Sequence, residues 1–332
     1  MASQWQFSLE QLRKTPSMVP LETEIARRVK GVDWLMRVGA TLMMGLGPCL
    51  TAATYLHRFY MRRMLEDYHE LEIAATCLFL ASKTEESGVR LDDLVTVTLS
   101  KVHACHPSEV AGKYDNEAKR WEQAILANEE VLLEVLCFDF DVRHAHAQLA
   151  DLVGGPSKLD PKLISCLWSV AHDSYRTPLC ILESPQVIAA ACFLFAQCLV
   201  DGPRGSTLAD RISDPQSEWR RALGVSENDL QSIAVSLTIL CQYYRAHKPD
   251  FGKPDTSLYK LIEPPPTGNI DVPLLFQPLS TSQHSNGGFA APSLDYAGSK
   301  TPQDSPLPPS TTPLGPVPPF PADASHTSKG PA

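Results

Sequence analysis

Apolar residues recur at helical spacing through most of the first 250 positions. Val32, Leu35, Met36, Leu42 and Met43 mark one helix over 27–44, which then meets Gly45 and Gly47-Pro48. Further helices are predicted over 50–64, 68–82, 91–99 and 117–136. The third is distinctive, because Ile73-Ala-Ala-Thr-Cys-Leu-Phe-Leu-Ala81 is apolar on every face. Such a helix belongs in the middle of a bundle, with other helices around it. Gly154-Gly155-Pro156 interrupts the pattern. A second helical series follows over 161–175, 184–199, 218–223 and 230–245. The last begins after Ser226-Glu227-Asn228-Asp229, a capping-box signal. Two successive units of about five helices, each with one wholly apolar member, predict an all-α chain with two tandem helical domains.

Near residue 250 the composition changes. Of the 28 prolines, 16 fall between Glu263 and Ala332, among many Ser, Thr and Gly residues. Such a segment buries too little apolar surface to offset its ordering entropy, so 249–332 reads as a disordered tail. Deletion of 263–332 is accordingly expected to leave the protein's activity intact.

Charge and composition narrow the function classes. A net charge of −9 argues against a protein that grips nucleic acid through its phosphates, which calls for a basic excess. The nine cysteines lie mostly in apolar runs and show no framework spacing, as expected of reduced thiols in an intracellular protein. His103-Ala104-Cys105-His106 and His144-Ala145-His146 lack the further ligands a zinc site needs, so no metal and no cofactor are expected. No apolar leader is read at Met1–Glu10, and no apolar run is long enough for a bilayer, so no membrane partner is expected. Gly-rich phosphate loops, Gly-x-Ser-x-Gly and His-Glu-x-x-His are missing, and the chain is not read as an enzyme.

One pair of charges stands out. Lys83 closes the all-apolar helix, where the macrodipole favours a cation by roughly 0.3–1 kcal/mol. On the 117–136 helix, Trp121, Ile125, Leu132, Leu133 and Leu136 define a buried face, and Glu129 falls on it. A carboxylate there is costly unless paired, or else it lies at the stripe's edge and reaches water. Lys83 is its candidate partner.

The motifs around this pair resemble the cyclin box. Tyr68 to Glu86, with Ala-Ala-Thr-Cys-Leu-Phe-Leu-Ala-Ser-Lys-Thr-Glu-Glu, is similar to its third helix. Glu129 with Val131-Leu-Leu-Glu-Val-Leu-Cys-Phe-Asp-Phe140 is similar to its fifth. Val32-Asp33-Trp34-Leu35 and Tyr55-Leu56-His57-Arg58-Phe59-Tyr60 resemble the first and second. The resemblance implies a division into an N-terminal extension packing on the first box (1–24), a first box that binds kinase (25–142), a second box (143–248) and the tail (249–332). It also implies that Lys83 and Glu129 anchor a cyclin-dependent kinase, joined by Thr84, Leu133 and Phe138. Trp34, His57, Phe59 and Tyr60 are signature positions with a structural role. So is Arg58, since an arginine within an apolar helix usually satisfies carbonyls of its own bundle.

His57-Arg58-Phe59-Tyr60 and the lead-in Trp5, Leu9-Glu10-Gln11-Leu12, Thr15-Pro16-Ser17 look most like cyclins T and K and fungal cyclins of the P-TEFb type. Mediator-type cyclin C typically carries a lysine where His57 stands. The implied role is nuclear activation of a kinase acting on the C-terminal repeats of RNA polymerase II during elongation. A transcription factor with paired cyclin folds that binds promoter DNA is the alternative from another class; the acidic balance and the lack of a zinc ribbon speak against it. His144-Ala145 departs from the His-Pro usual in that group. Thr301-Pro302, Ser305-Pro306 and Thr312-Pro313 are minimal sites for a proline-directed kinase.

Overall fold

The computed structural model describes residues 4–155, 159–202, 205–214, 217–247 and 262–277. Its elements run α1 (Leu9–Arg13), α2 (Leu21–Thr41), α3 (Leu46–Tyr60), α4 (Glu70–Thr84), α5 (Leu91–Val102), α6 (Asp115–Val135), α7 (Ala145–Val153), α8 (Pro161–Ser174), α9 (Leu179–Leu182), α10 (Pro185–Asp201), α11 (Leu208–Ser213), α12 (Glu218–Ala222) and α13 (Leu230–Ala246). None of the described helices is long and apolar enough to cross a membrane.

Two hydrophobic cores organise these helices within one compact unit. The first surrounds α4, whose residues from Ile73 to Ser82 are all buried, against α2, α3 and α6. The second surrounds α10, where Val187 to Ala196 are all buried, against α7, α8 and α13. These are the two central helices that the all-round apolar pattern predicts. Close packing is sharpest where α2 meets α3: a Cβ on Gly39 would lie 2.4 Å from Cys49 Sγ. Only hydrogen fits there.

The helix termini depart from the sequence pattern for identifiable reasons. α2 begins at Leu21, six residues before the predicted start at 27, because Pro20 precedes it and Glu22 and Glu24 complement the N-terminal dipole. The early start carries Glu24 into the interior, where it pairs with Arg28; both side chains are fully buried. Arg28 also donates to Tyr60 O at 2.7 Å, and Thr15 donates to Glu24. The helices α1, α7, α9 and α11 are not foreseen in the sequence; α1 and α9, at five and four residues, span too few turns for a periodic stripe. The capping box at Ser226 exists, but closes one 3-10 turn ahead of α13.

Two expectations need amending. The N-terminal extension does not pack on the first box alone: Trp5 joins the first core, whereas Leu12 of α1 joins the second. And the proline-rich segment is not uniformly outside the fold. Residues 262–277 lie extended against the second lobe, burying Leu275 and Phe276 in its core. Gln242 of α13 donates to Pro273 O and accepts from Leu275 N, Arg245 donates to Ile262 O, and Arg13 of α1 pairs with Asp271. A few apolar residues suffice here because side chains already fixed on α13 supply the backbone's hydrogen bonds. Composition averages over such a short segment and misses it. Thr301, Ser305 and Thr312 lie outside the described residues.

Two outcomes follow for stability. Glu24→Gln leaves the Arg28 charge buried without its counter-ion, and unfolding in urea should show a loss of about 3–5 kcal/mol. A chain ending at 277 should melt like the full chain, whereas Phe276→Ala should cost about 3–5 kcal/mol in the same assay.

Candidate functional site

A helix buried on all sides can present polar groups only where it leaves the core. α4 does so at its C-terminal turn. Lys83 Nζ lies 2.7 and 2.9 Å from the two carboxylate oxygens of Glu129 on α6, and 4.0 Å from the Phe79 ring centroid. The lysine side chain keeps 48% of its exposure and the glutamate 14%. The pair is therefore neither a buried ion pair nor a fully solvated one. In the free chain it adds little stability, about 0–1 kcal/mol for a screened pair. Its value lies in presenting a fixed cation–carboxylate pair at the surface, with a ring beneath the ammonium.

Apolar groups flank this pair. One turn before Glu129, Leu126 is 50% exposed, and Leu133 lies one turn after it, half-buried. Beyond α6, Phe138 is 65% exposed. Thr84 follows Lys83 and contributes less than its neighbour: its hydroxyl is held by Ala81 O and Tyr55 OH, both at 3.3 Å. Tyr55 itself donates to Phe140 O, its ring meets Phe140, and Phe140 meets Phe138. The end of α4 and the turn after α6 are thus joined through the buried Tyr55. Leu126, Tyr55 and Phe140 were not singled out from sequence. Leu126 could have been: it is an apolar residue set beside the buried stripe.

The Phe138 turn has unusual backbone geometry. Cys137 and Phe138 have φ of 54° and 56°, two consecutive non-glycine residues in the left-handed region. Each such residue costs roughly 1–2 kcal/mol, so the turn persists only where its surroundings dictate it. The surroundings are explicit. Arg58 donates to Asp139 O and Asp141 O at 3.2 and 2.9 Å, and Arg62 to Val135 O at 2.9 Å and Cys137 Sγ at 3.0 Å. Trp5 Nε1 and Gln4 Nε2 donate to the Asp139 carboxylate at 3.0 and 2.8 Å. That carboxylate is held below its ordinary range, first by the Gln4 hydrogen bond.

The remaining signature residues lie inside the fold. Trp34 is buried and stacks on Trp121 at 6.2 Å. Phe59 packs edge-on against Tyr60 and Tyr68, and Tyr60 donates to Tyr68 O. His57 is fully buried and donates through Nε2 to Tyr175 O of the second lobe at 3.0 Å; burial and the Arg28 charge push its pKa down to about 3. The lobes are tied further by His144, whose ring bridges the Thr51 and Tyr175 hydroxyls at 3.0 and 2.8 Å, and by Arg176, which bonds Asp33 of α2 and Asp173 of α8. His144 therefore gives α7 a fixed starting point where the related group usually has His-Pro. His103 pairs with Glu117 and stacks on Tyr114. Among the described residues, no cluster of three or more metal-ligating side chains gathers anywhere.

Comparison with known proteins bears on the family and the fold. Residues 3–141 match the family model of the cyclin N-terminal domain. Cyclin pch1 of Schizosaccharomyces pombe is 35% identical over 250 residues, which covers 74% of this chain and 70% of that protein. Cyclin-T1-2 of Arabidopsis thaliana is 30% identical over 199 residues, and Cyclin-K of Danio rerio 28% over 198; the chain spans under half the length of either (43% and 45%). A chain in the crystal structure of the yeast RNA Pol II CTD kinase CTDK-1 complex shares the fold, with a TM-score of 0.53 at 17% identity, covering 78% of this chain and 82% of that one. The motif order, the two helical cores and the extended likeness to pch1 lead to one conclusion: this chain belongs to the cyclin family.

Proposed function

We propose that this cyclin binds and activates a cyclin-dependent serine/threonine kinase that phosphorylates the C-terminal repeats of RNA polymerase II, and that it acts in the nucleus to promote transcription elongation. The Lys83–Glu129 pair carries this reading, because it is an oriented charge pair at the rim of an apolar surface with little role in the cyclin's own stability. The likeness to pch1, T-type and K-type cyclins supports the choice of kinase class.

As a cyclin, the chain is a regulatory subunit, and the phosphoryl transfer belongs to the kinase. Lys83 and Glu129 offer donors and acceptors to the backbone of the loop that precedes the kinase's mobile helix. Leu126, Leu133 and Phe138 supply apolar area beside them. Holding that helix inward sets the kinase's own Lys–Glu pair and metal-binding Asp for transfer, so the cyclin acts by favouring one of two kinase states. Docking removes water from the charge pair, and the loss of one partner then costs far more than in the free chain.

The kinase recovered with the tagged full-length cyclin serves for the test, with a polymerase-repeat peptide as substrate. Lys83→Ala and Glu129→Ala should each weaken kinase binding at least about 30-fold, roughly 2 kcal/mol. Each variant should melt within about 2 °C of the unaltered chain. Wild-type affinity in both variants would sink the anchor assignment.

A second outcome separates this cyclin from those that dock Arg-x-Leu peptides on an apolar patch ahead of the first-helix tryptophan. Here Arg27 and Lys30 both reach Glu70, and Arg37 follows Trp34. Charged groups thus occupy the region where a leucine would have to bury. A fluorescent Arg-x-Leu peptide should show no saturable binding below about 100 μM by polarisation; micromolar binding would contradict the placement among transcriptional cyclins.

A further inference from the structure

The chain begins with a segment whose contacts reach across the molecule. Phe7 N donates to Ile181 O of the second lobe at 2.8 Å, and Ser8 caps α1, which Arg13 ties to Asp271. From that fixed point the backbone runs back to the first lobe, where Trp5 is 4% exposed. Its indole lies under two guanidinium groups, Arg58 at 4.9 Å and Arg62 at 4.1 Å from the ring centroid. These are the two arginines that hold the carbonyls and sulfur of the 135–141 backbone. Trp5 Nε1 meanwhile donates to Asp139, inside the same turn.

One side chain therefore meets the strained turn three ways, once directly and twice through the cations that grip it. The direction of each interaction matters. The indole face restricts both guanidinium planes, so their N–H groups remain aimed at Val135, Asp139 and Asp141. Without the ring, both arginines lose a restraint, and the left-handed pair Cys137–Phe138 rests more on its own backbone bonds, Cys137 N to Glu134 O at 2.9 Å and Phe138 N to Leu133 O at 3.2 Å. Phe138, the most exposed aromatic among the described residues, then no longer holds one orientation.

We propose that Trp5 is a positioning residue: it locks the Cys137–Asp139 turn through Arg58, Arg62 and Asp139, and so fixes the presentation of Phe138 to the kinase. Trp5 acts through these groups and does not itself touch the partner. The proposal rests on the reading of Phe138 as a kinase contact, and the two can fail separately.

Hydrogen exchange followed by mass spectrometry on the full chain reads the turn without any kinase. In Trp5→Ala, amides 137–139 should exchange roughly tenfold faster, while those of α4 keep their rates. Trp5→Phe keeps a ring in the core but loses the N–H, and should give a smaller rise of roughly threefold. Asp139→Ala removes the acceptor without touching the core, and should give a rise of similar size. Kinase affinity supplies the second arm through a double-mutant cycle. Phe138→Ala added to Trp5→Ala should weaken binding no further than Phe138→Ala alone, because both changes remove the same contact. If Trp5→Ala does not fold, Trp5→Phe takes its place in both arms. Unchanged turn exchange in a folded Trp5 variant overturns the clamp, as do fully additive losses in the cycle. Faster turn exchange with wild-type kinase affinity in Phe138→Ala upholds the clamp and removes only Phe138 from the kinase surface.

Discussion

The architecture depends on one constraint: each lobe contains a helix with no polar face. α4 and α10 can exist in water only when enclosed on all sides, by α2, α3 and α6 for the first and by α7, α8 and α13 for the second. Most charged residues are thereby displaced to helix ends and to the outer faces of the surrounding helices, and those that stay inside, such as Glu24 and Arg28, are paired. Lys83 is the first charged residue after the enclosed run in α4, and α6, packed alongside, brings Glu129 to it. The site is a consequence of where the central helix must stop being apolar.

Rigidity at that point comes from several independent ties. Tyr55, on α3, secures Phe140; Arg58 and Arg62 secure the carbonyls after α6; Gln4 and Trp5 secure Asp139. All of these converge on the turn that carries Phe138. A surface preorganised in this way loses less on docking, because ordering loops and side chains on binding subtracts from affinity. The exposed part of the site is small, and the structure behind it is extensive.

The second lobe contributes through connection. His57, His144 and Arg176 link the lobes by hydrogen bonds and charge pairs that lie largely out of water, and α1 and residues 262–277 add Leu12, Leu275 and Phe276 to the second core. Burial and the Arg28 charge hold the His57 pKa down to about 3, so this link is uncharged near neutral pH.

The sequence by itself determined the class of the fold, the two central helices and the two residues of the charge pair. The central helices depend on local periodicity, and a nine-residue apolar run such as Ile73–Ala81, or a lysine at its end, can be read without knowing any neighbour; Glu129 as that lysine's partner came from the resemblance to the cyclin box. Short helices such as α1 and α9 escaped, because four or five residues carry no stripe. Packing of 262–277 escaped for a related reason: Leu275 and Phe276 are two apolar residues in a proline-rich stretch, and only the groove beside α13 gives them somewhere to bury. The same holds for Trp5 and Asp139, which are 134 positions apart in sequence. Contact between such positions depends on how whole helices cross, and no local pattern encodes it. Tertiary structure alone decided that Arg28 would be interior, that Lys83 would remain half in water, and that the start of the chain would brace the turn after α6.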